Sequence, residues 1–380
     1  SLAIDLDAIV ALTKRLIAIP TENPPGNGYS ECAEVLIDAL RALGGFEIRQ
    51  DADCIQALCG HGRRTLYFSG HYDVVPAQRP DQFEPYVKGA NLFGRGSSDM
   101  KAGLAVMIHA THSVRDRIPG GRIGLVFVPD EETAGPRGSR LLAERNLLGV
   151  DAIGMLTPEP SGGVIWNANR GAITLRATLD GKSTHVGRQF EGVNAFERAI
   201  PLLNDLAALK REVESRETSH NIAPAALRRS ILMLGGIAES GNNFNLVPDK
   251  FSFTIDRRIN PEEDFETEKA RLFHLLDRHG AKPEIIQEGA AAATPADHPL
   301  SIALQRNIEH VTGKPAPFEM CPGLLETRFY AALGVPALAY GPGLLTVSHG
   351  PNEFAPIANF AHCAEVYART ALDLLGGAQF

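Results

Sequence analysis

The chain has 380 residues, 44% of them apolar, and carries 45 acidic against 37 basic side chains for a net charge of -8. This is more apolar material than a single core needs, so two domains are expected. No basic block offsets the acidity and no apolar run reaches the roughly 20 residues that span a bilayer, which argues against a nucleic-acid partner and against a membrane.

Five cysteines (Cys32, Cys54, Cys59, Cys321, Cys363) are few, odd in number and without CxxC spacing. They suit neither a disulfide framework nor a thiolate metal site. The N-terminus lacks the basic, apolar and small-residue succession of a signal peptide, and a reducing cytoplasm is the expectation.

In chain order, residues 3–18 place Ile4, Ile9, Val10, Leu12, Leu16 and Ile17 at helical spacing, and the Pro, Gly and Asn of 20–28 stop that helix. A second helix is expected over 31–43. Strands follow at 47–49 and 66–69, a helix at 103–114, a strand at 123–129, a helix at 139–145 and a strand at 152–156. Alternation of this kind implies an α/β architecture with a mostly parallel sheet, whose ligands gather beyond the carboxyl ends of the strands. Past Gly171 the pattern changes: strand 173–179, helix 193–216, strands 231–235 and 250–258, helix 262–279 and strand 282–287. That β-α-β-β-α-β order is ferredoxin-like and can stand as its own domain. It reads as an insertion, because helix 300–312 and strand 335–340 resume the first pattern. The expected division is 1–170 with 288–380 as a catalytic domain and 171–287 as an inserted lid and dimerisation domain.

The chemistry collects at strand ends. His71 and Asp73 close the run Tyr67-Phe-Ser-Gly-His71 and leave the same side of extended backbone. Asp99 sits on the Gly-rich turn GRGSSD, Glu131 and Glu132 follow LVFVPD, Glu159 lies in TPEP, and His349 in SHGPNE. Singly, each reads as well in a bland way: a lone HxD is mostly structural, an acidic pair is commonly a solvated turn, Glu159 turns between two prolines and His349 caps a loop. Together, His71, Asp99, Glu132, Glu159 and His349 are side chains that Zn²⁺ accepts, in an order hard to explain otherwise.

These ordered motifs, GHYDVVP, GRGSSDMKAG, PDEET, PEP and SHGPNE, resemble the dinuclear zinc amidohydrolases of the M20 peptidase family. That group includes acetylornithine deacetylase, succinyl-diaminopimelate desuccinylase and a glutamate-releasing carboxypeptidase. The resemblance spans essentially the whole chain. It implies two Zn²⁺, with Co²⁺ or Mn²⁺ as substitutes, bridged by Asp99 and completed by His71 and Glu159 on one side and Glu132 and His349 on the other. It also implies Glu131 as general base, Asp73 as the group that orients His71, and a cis peptide after Asp99. In the inserted domain it implies a homodimer in which His185 reaches the partner's site and stabilises the oxyanion. Asn245 and Arg258 match positions that hold the substrate carboxylate. Arg257 is the fallback, and a sheet-edge ion pair is the competing reading for either arginine.

The chemistry agrees with these roles. Two cations roughly 3.5–4 Å apart need a shared anion, which a carboxylate can be and an imidazole cannot. Of two adjacent glutamates, one can bind metal while the other moves protons. Asp73 can accept the other ring N–H of His71 and fix its tautomer. One departure concerns substrate: where many relatives carry Gly-Gly-Thr-Asp-x-Arg, this chain has Gly323-Leu-Leu-Glu-Thr-Arg328. It keeps Arg328 as a candidate substrate contact and suggests an acyl pocket made more apolar by Leu324 and Leu325. The function expected is a deacylase of N-acyl amino acids. Its rivals are a dipeptidase, carboxypeptidase or aminopeptidase on the same machinery, and a catalytically silent binding protein, against which Glu131 and a full ligand set weigh.

Overall fold

The computed structural model describes residues 2–377. They divide into two compact units, one holding Ala293–Glu319 with the chain's two ends (up to Asn167 and from Leu325), the other Ala168–Ala292 with Met320–Leu324. The expected cut at 170/171 and 287/288 thus shifts by a few residues, and 320–324 changes side. The reason is backbone pairing: Met320 donates its N–H to the Asn221 carbonyl at 2.7 Å, and Arg170 donates to that of Cys321 at 3.4 Å.

The first unit is a mixed α/β fold around a large sheet in the order Glu47–Asp51, Cys54–Gly60, Arg122–Val128, Thr65–His71, Ala152–Thr157, Ala337–Ala339 and Ile165–Asn169. The four strands from Arg122–Val128 to Ala337–Ala339 run parallel, and antiparallel strands flank them on both sides. A strand at the centre of such a sheet is covered on both faces, which is why Thr65–His71 is buried at every position. His71 pairs with Val128 and Leu156 pairs with Phe68, so neighbouring strands release the chain at one end of the sheet. Helix Lys101–Val114 is apolar nearly all round and accordingly buried, packed between Leu6–Ile17 and Ile357–Leu375. Phe68 is fully buried against the Tyr367 ring, 4.9 Å between centroids, and burying such a side chain contributes roughly 1.5–3 kcal/mol. Strands Cys54–Gly60 and Ile165–Asn169 and helix Ile357–Leu375 were not anticipated, and the strand expected over 335–340 is confined to Ala337–Ala339.

The second unit is an antiparallel sheet in the order Ile231–Ser240, Lys250–Ile259, Gly171–Asp180 and Lys282–Gly289, with helices Ala195–Val213 and Phe265–Arg278. This is the ferredoxin-like order. Alternate residues of the two central strands (Ile173, Leu175, Ala177, Leu179; Phe251, Phe253, Ile255) meet Ala199, Leu202, Leu206, Leu272 and Leu276 of the helices in its own core.

Candidate metal centre

Six of the expected residues converge at the carboxyl end of the parallel strands. His71 is the last residue of its strand and completely buried. Its Nδ1 lies 2.9 Å from the backbone carbonyl of Asp73 and 3.3 Å from Asp73 Oδ1, so the ring N–H is taken chiefly by the main chain rather than by the carboxylate. That leaves Nε2 pointing into the cluster, 3.2 Å from Asp99 Oδ1, 3.5 Å from Glu159 Oε1 and 3.6 Å from Glu131 Oε2. The other oxygen of Asp99 faces His349, Nε2 to Oδ2 at 3.0 Å, and His349 also stands 3.3 Å from Glu132 Oε2. Asp99 therefore has a histidine and a glutamate on each side.

Local structure aims these groups. Asp130 adopts the left-handed conformation at φ 65°, which turns the chain sharply after strand Arg122–Val128. Its carboxylate is held by the Tyr29 hydroxyl at 2.8 Å and the Arg137 N–H at 2.9 Å. The carboxylate of Asp73 accepts the backbone N–H groups of Glu131 (3.2 Å) and Glu132 (3.1 Å) and the Asn23 amide (2.9 Å). The Asp99 turn needs glycine where it meets other loops: a Cβ at Gly343 would come within 2.3 Å of the Ser98 carbonyl oxygen, and one at Gly103 within 2.7 Å of that of Pro158. The peptide after Asp99 is cis.

The electrostatics are those of crowded acids around two imidazoles. Burial raises Glu131 well above the carboxylate range; His71 opposes this, and Glu159, Glu132 and Glu326 add to it. Burial raises Glu132 to about 6 and Glu159 to about 7. Burial disfavours a charged His71, yet Glu131, Glu159 and the contacts to Asp73 and Asp99 outweigh it and raise the ring well above its usual value. His349 rises to about 11 through its hydrogen bonds to Asp99 and Glu132.

The fit to cations rests on atoms without partners. His71 Nε2, Asp99 Oδ1, Glu132 Oε1 and Glu159 Oε1 are buried and have no hydrogen-bond partner among the described residues. One ligand atom from each of His71, Glu131 and Glu159, and from each of His71, Asp99 and Glu132, lie within 4.8 Å of one another. Buried polar atoms are normally satisfied, and imidazole with carboxylate is the donor set of Zn²⁺ and similar ions, so the cluster fits metal.

Of the remaining expected residues, Arg328 belongs to the first unit, and His185, Asn245, Arg257 and Arg258 belong to the second. Arg328, on helix Thr327–Ala331, donates to the Leu325 carbonyl at 2.9 Å and stacks on Phe329, 4.4 Å from the ring centroid. Leu325 is buried in the first unit. His185, exposed, caps a short 3-10 helix in the second unit, and Asn245 lies beside it, its carbonyl accepting the Val186 N–H at 2.8 Å. Arg257 is fully buried on the helix-facing side of its strand, and its guanidinium is engaged by Glu263 (2.7 Å), Glu268 (2.9 Å) and Ser230 (2.8 Å) in an ion-pair network of that unit's own core, the competing reading. Arg258, on the opposite face, makes a two-pronged pair with Asp256 at 2.8 and 2.9 Å, the competing ion-pair reading.

Sequence reasoning missed Asn23, Tyr29, Asp130, Arg95, Glu326 and Glu353. Arg95 and Glu353 stand inside the quoted motifs GRGSSD and SHGPNE, which was the available signal. Glu326, 2% exposed with Oε2 unpartnered, lies in the turn 323–328, and burial raises its pKa.

A cation-binding cluster at the strand ends of an α/β sheet defines a metal-dependent hydrolase. Residues 67–373 match peptidase family M20/M25/M40, and the chain belongs to that family. It is similar along nearly its whole length to three solved structures. The M20 family metallo-carboxypeptidase Sso-CP2 of Sulfolobus solfataricus is 17% identical, with 96% of this chain and 98% of that one covered and a TM-score of 0.79. Aminopeptidase PepT of Bacillus cereus is 20% identical, with 97% and 98% covered and a TM-score of 0.74. The YXEP protein of Bacillus subtilis, described as a dinuclear metal-binding peptidase from the M20 family, is 14% identical, with 97% and 98% covered and a TM-score of 0.69. At such identities the likeness carries the fold. Among the described residues no helix is long and apolar enough to cross a membrane.

Proposed function

We propose that the chain is a di-zinc hydrolase that cleaves the amide of N-acyl amino acids and similar small acylated substrates. The observation that carries this reading is the two-sided setting of Asp99, Oδ1 toward His71 and Oδ2 toward His349, with Glu159 and Glu132 beside the respective histidines. Asp99 would bridge the ions, with His71 and Glu159 on one and Glu132 and His349 on the other; Co²⁺ or Mn²⁺ would substitute for Zn²⁺. When bound, such a pair polarises the scissile carbonyl and lowers the pKa of water to near neutrality.

The chain's own groups then do the proton work. Glu131, buried beside the cluster, has a carboxylate whose proton affinity is raised, which suits a base that must give its proton back near neutral pH. It takes the proton of the attacking water and returns it to the leaving nitrogen. Asp73 holds the loop that carries Glu131 and Glu132, and its carbonyl fixes His71 with Nε2 free. His185 supplies an oxyanion donor. Its Nδ1 accepts the Gly187 N–H at 3.1 Å, which fixes the tautomer with Nε2–H as the free donor. Asn245, Arg258 and Arg328 are the candidates for the substrate carboxylate, Arg258 only after exchanging Asp256 for it. A homodimer through the second unit is supported by strand Ile231–Ser240, which ends its sheet and exposes Met233 and Ile237 at 49% and 50%. Five buried cysteines, none of them in a disulfide, support a reducing, cytoplasmic setting.

A peptidase on the same machinery is the second reading, favoured by the aminopeptidase and carboxypeptidase among the similar structures. The test is hydrolysis by zinc-loaded enzyme of N-acetyl, N-succinyl and longer N-acyl amino acids alongside dipeptides, with Glu131→Ala as the blank. Turnover of acyl amino acids above dipeptides supports the deacylase; the reverse order replaces it with a peptidase. Activity no higher than the blank on every substrate overturns both.

A further inference from the structure

His349 differs from the other five members of the cluster. Its side chain is 50% exposed, whereas those of His71, Asp99, Glu131, Glu132 and Glu159 are at most 12% exposed. It follows a 3-10 turn rather than a strand of the sheet and sits in the left-handed region at φ 64°. No packed strand end holds it, so its placement must come from whatever grips the loop backbone.

That grip is one buried guanidinium. Arg95 is 1% exposed and donates from Nη1 to the Gly350 carbonyl at 3.0 Å. Its Nη2 donates to Gln78 Oε1 at 2.6 Å and approaches the His349 and Pro76 carbonyls at 3.4 Å each. Gln78 donates its own amide to the His349 carbonyl at 2.9 Å, and Gln82 donates to that of Gly350 at 3.2 Å. On the far side, Glu353 accepts the Gly96 N–H and lies 3.9 Å from Arg95, while Gly94 donates to the Glu353 carbonyl at 3.1 Å. Arg95 thus joins the segment after His71, the turn before Asp99 and the loop of His349. Only a rigid planar fork with several donors reaches four such acceptors at once; a lysine ammonium is a single point on a flexible stem.

We propose that Arg95, with Gln78, is the positioning residue for His349 and that it governs one of the two metal positions, the one built on His349 and Glu132, while leaving the His71 and Glu159 position intact. This rests on the dinuclear reading given above. His71 is held by Asp73 and by its strand, neither of which Arg95 touches among the described contacts. Loss of the clamp therefore releases one ligand and not the whole set, and outer partners of metal ligands typically change affinity about 10- to 100-fold.

The experiment is Co²⁺ titration of the metal-free full chain, followed by calorimetry and by visible absorption, for the wild type, Arg95→Ala, Arg95→Lys and Gln78→Ala. The expected wild type takes up two ions. Arg95→Ala keeps one tight ion and binds the second about 10- to 100-fold more weakly, with its absorption band changed, and added guanidinium restores much of the loss. Arg95→Lys is not rescued by its charge alone, and Gln78→Ala, which removes an exposed side chain and leaves the core intact, shows a smaller loss at the same position. Two unchanged affinities in both Arg95→Ala and Gln78→Ala overturn the clamp alone, as does an equal loss at both positions. If Arg95→Ala does not fold, Gln78→Ala decides by the same criterion. A wild type that binds fewer than two ions overturns the dinuclear reading and the clamp with it.

Discussion

Asp73 accepts the backbone N–H of Glu132 at 3.1 Å through a carboxylate that also takes the N–H of Glu131 and the Asn23 amide, while its main-chain carbonyl holds the His71 ring. One residue therefore sets the angle of the histidine and of both glutamates. Its charge is stabilised where it lies: burial would raise its pKa, but His71, Asn23 and the Glu132 N–H lower it.

Replacing Asp73 by Asn keeps the shape and reverses one acceptor. The new amide N–H₂ must face either the Glu131 N–H or the Glu132 N–H with Asn23, and a donor set against donors does not bind. Asp73→Asn is expected to fold, to bind metal about 10- to 100-fold more weakly and to lose activity in proportion. Calorimetric metal titration with circular dichroism checks this; unchanged metal affinity would show that the loop holds itself.

Glu131→Gln separates binding from chemistry. The amide matches the carboxylate in size but cannot carry the water's proton to the leaving nitrogen. The expected result is a fall of about 10²–10⁴ in kcat with metal content unchanged. Metal analysis beside steady-state kinetics reads both; a variant that loses its metal in step with its rate would make Glu131 a ligand, a role its 3.6 Å approach to His71 makes worth testing.

The parts of this site that were legible in the sequence are those where a local pattern carries the chemistry. His71, Glu132 and Glu159 each follow an apolar run that a parallel strand requires, and strand alternation with helices gave the α/β class. What was not legible depends on partners distant in the chain. Asn23 bonds Asp73, 50 residues on, and nothing near it marks it; Arg95 stands inside a motif, but its bond to Gly350, 255 residues on, shows only in the fold. Arg257 and Arg258 are neighbours on a strand, so the pleat alone sends one into the core and the other to the open face. Helix Ile357–Leu375 starts at Pro356 with no side-chain cap, and the usual signal of a helix start is absent.

Metal removal should be visible in stability as well as in rate. Without cations the cluster keeps four buried atoms with no partner among the described residues, and an ion that binds only the folded state adds about 2.7 kcal/mol at a free concentration 100 times its Kd. Chelation is expected to abolish activity and lower the melting temperature, and Zn²⁺ to restore both. Calorimetric melts across a zinc series check it; a melting temperature independent of zinc would exclude tight binding to the native state.

Arg257 is expected to behave as a structural residue. It and Arg216 share Glu263 and Glu268, and removing one partner of a buried charge network typically costs about 3–5 kcal/mol. Arg257→Met should therefore destabilise the protein, with Arg216 moderating the loss, and leave KM unchanged at temperatures where the variant is folded. Denaturant titration and kinetics decide: a raised KM with unaltered stability would return Arg257 to the substrate.

Glu263 gives that network a pH dependence of definite sign. Burial would raise its pKa, but the Ser230 hydroxyl, the Asn260 N–H, and the Arg257 and Arg216 guanidiniums together lower it. A carboxylate whose folded pKa lies below its unfolded value of about 4.3 contributes stability that is full above that value and is lost as pH falls through the folded one. The wild type should consequently lose stability on acidification below about pH 4.3 more steeply than Glu263→Gln, which has no such charge to lose. Both proteins carry the same metal cluster, so its own acid sensitivity cancels in the difference between their melting temperatures. That difference should narrow between pH 6 and pH 3, followed by circular dichroism, and a gap that stays constant would mean Glu263 gains nothing from its partners.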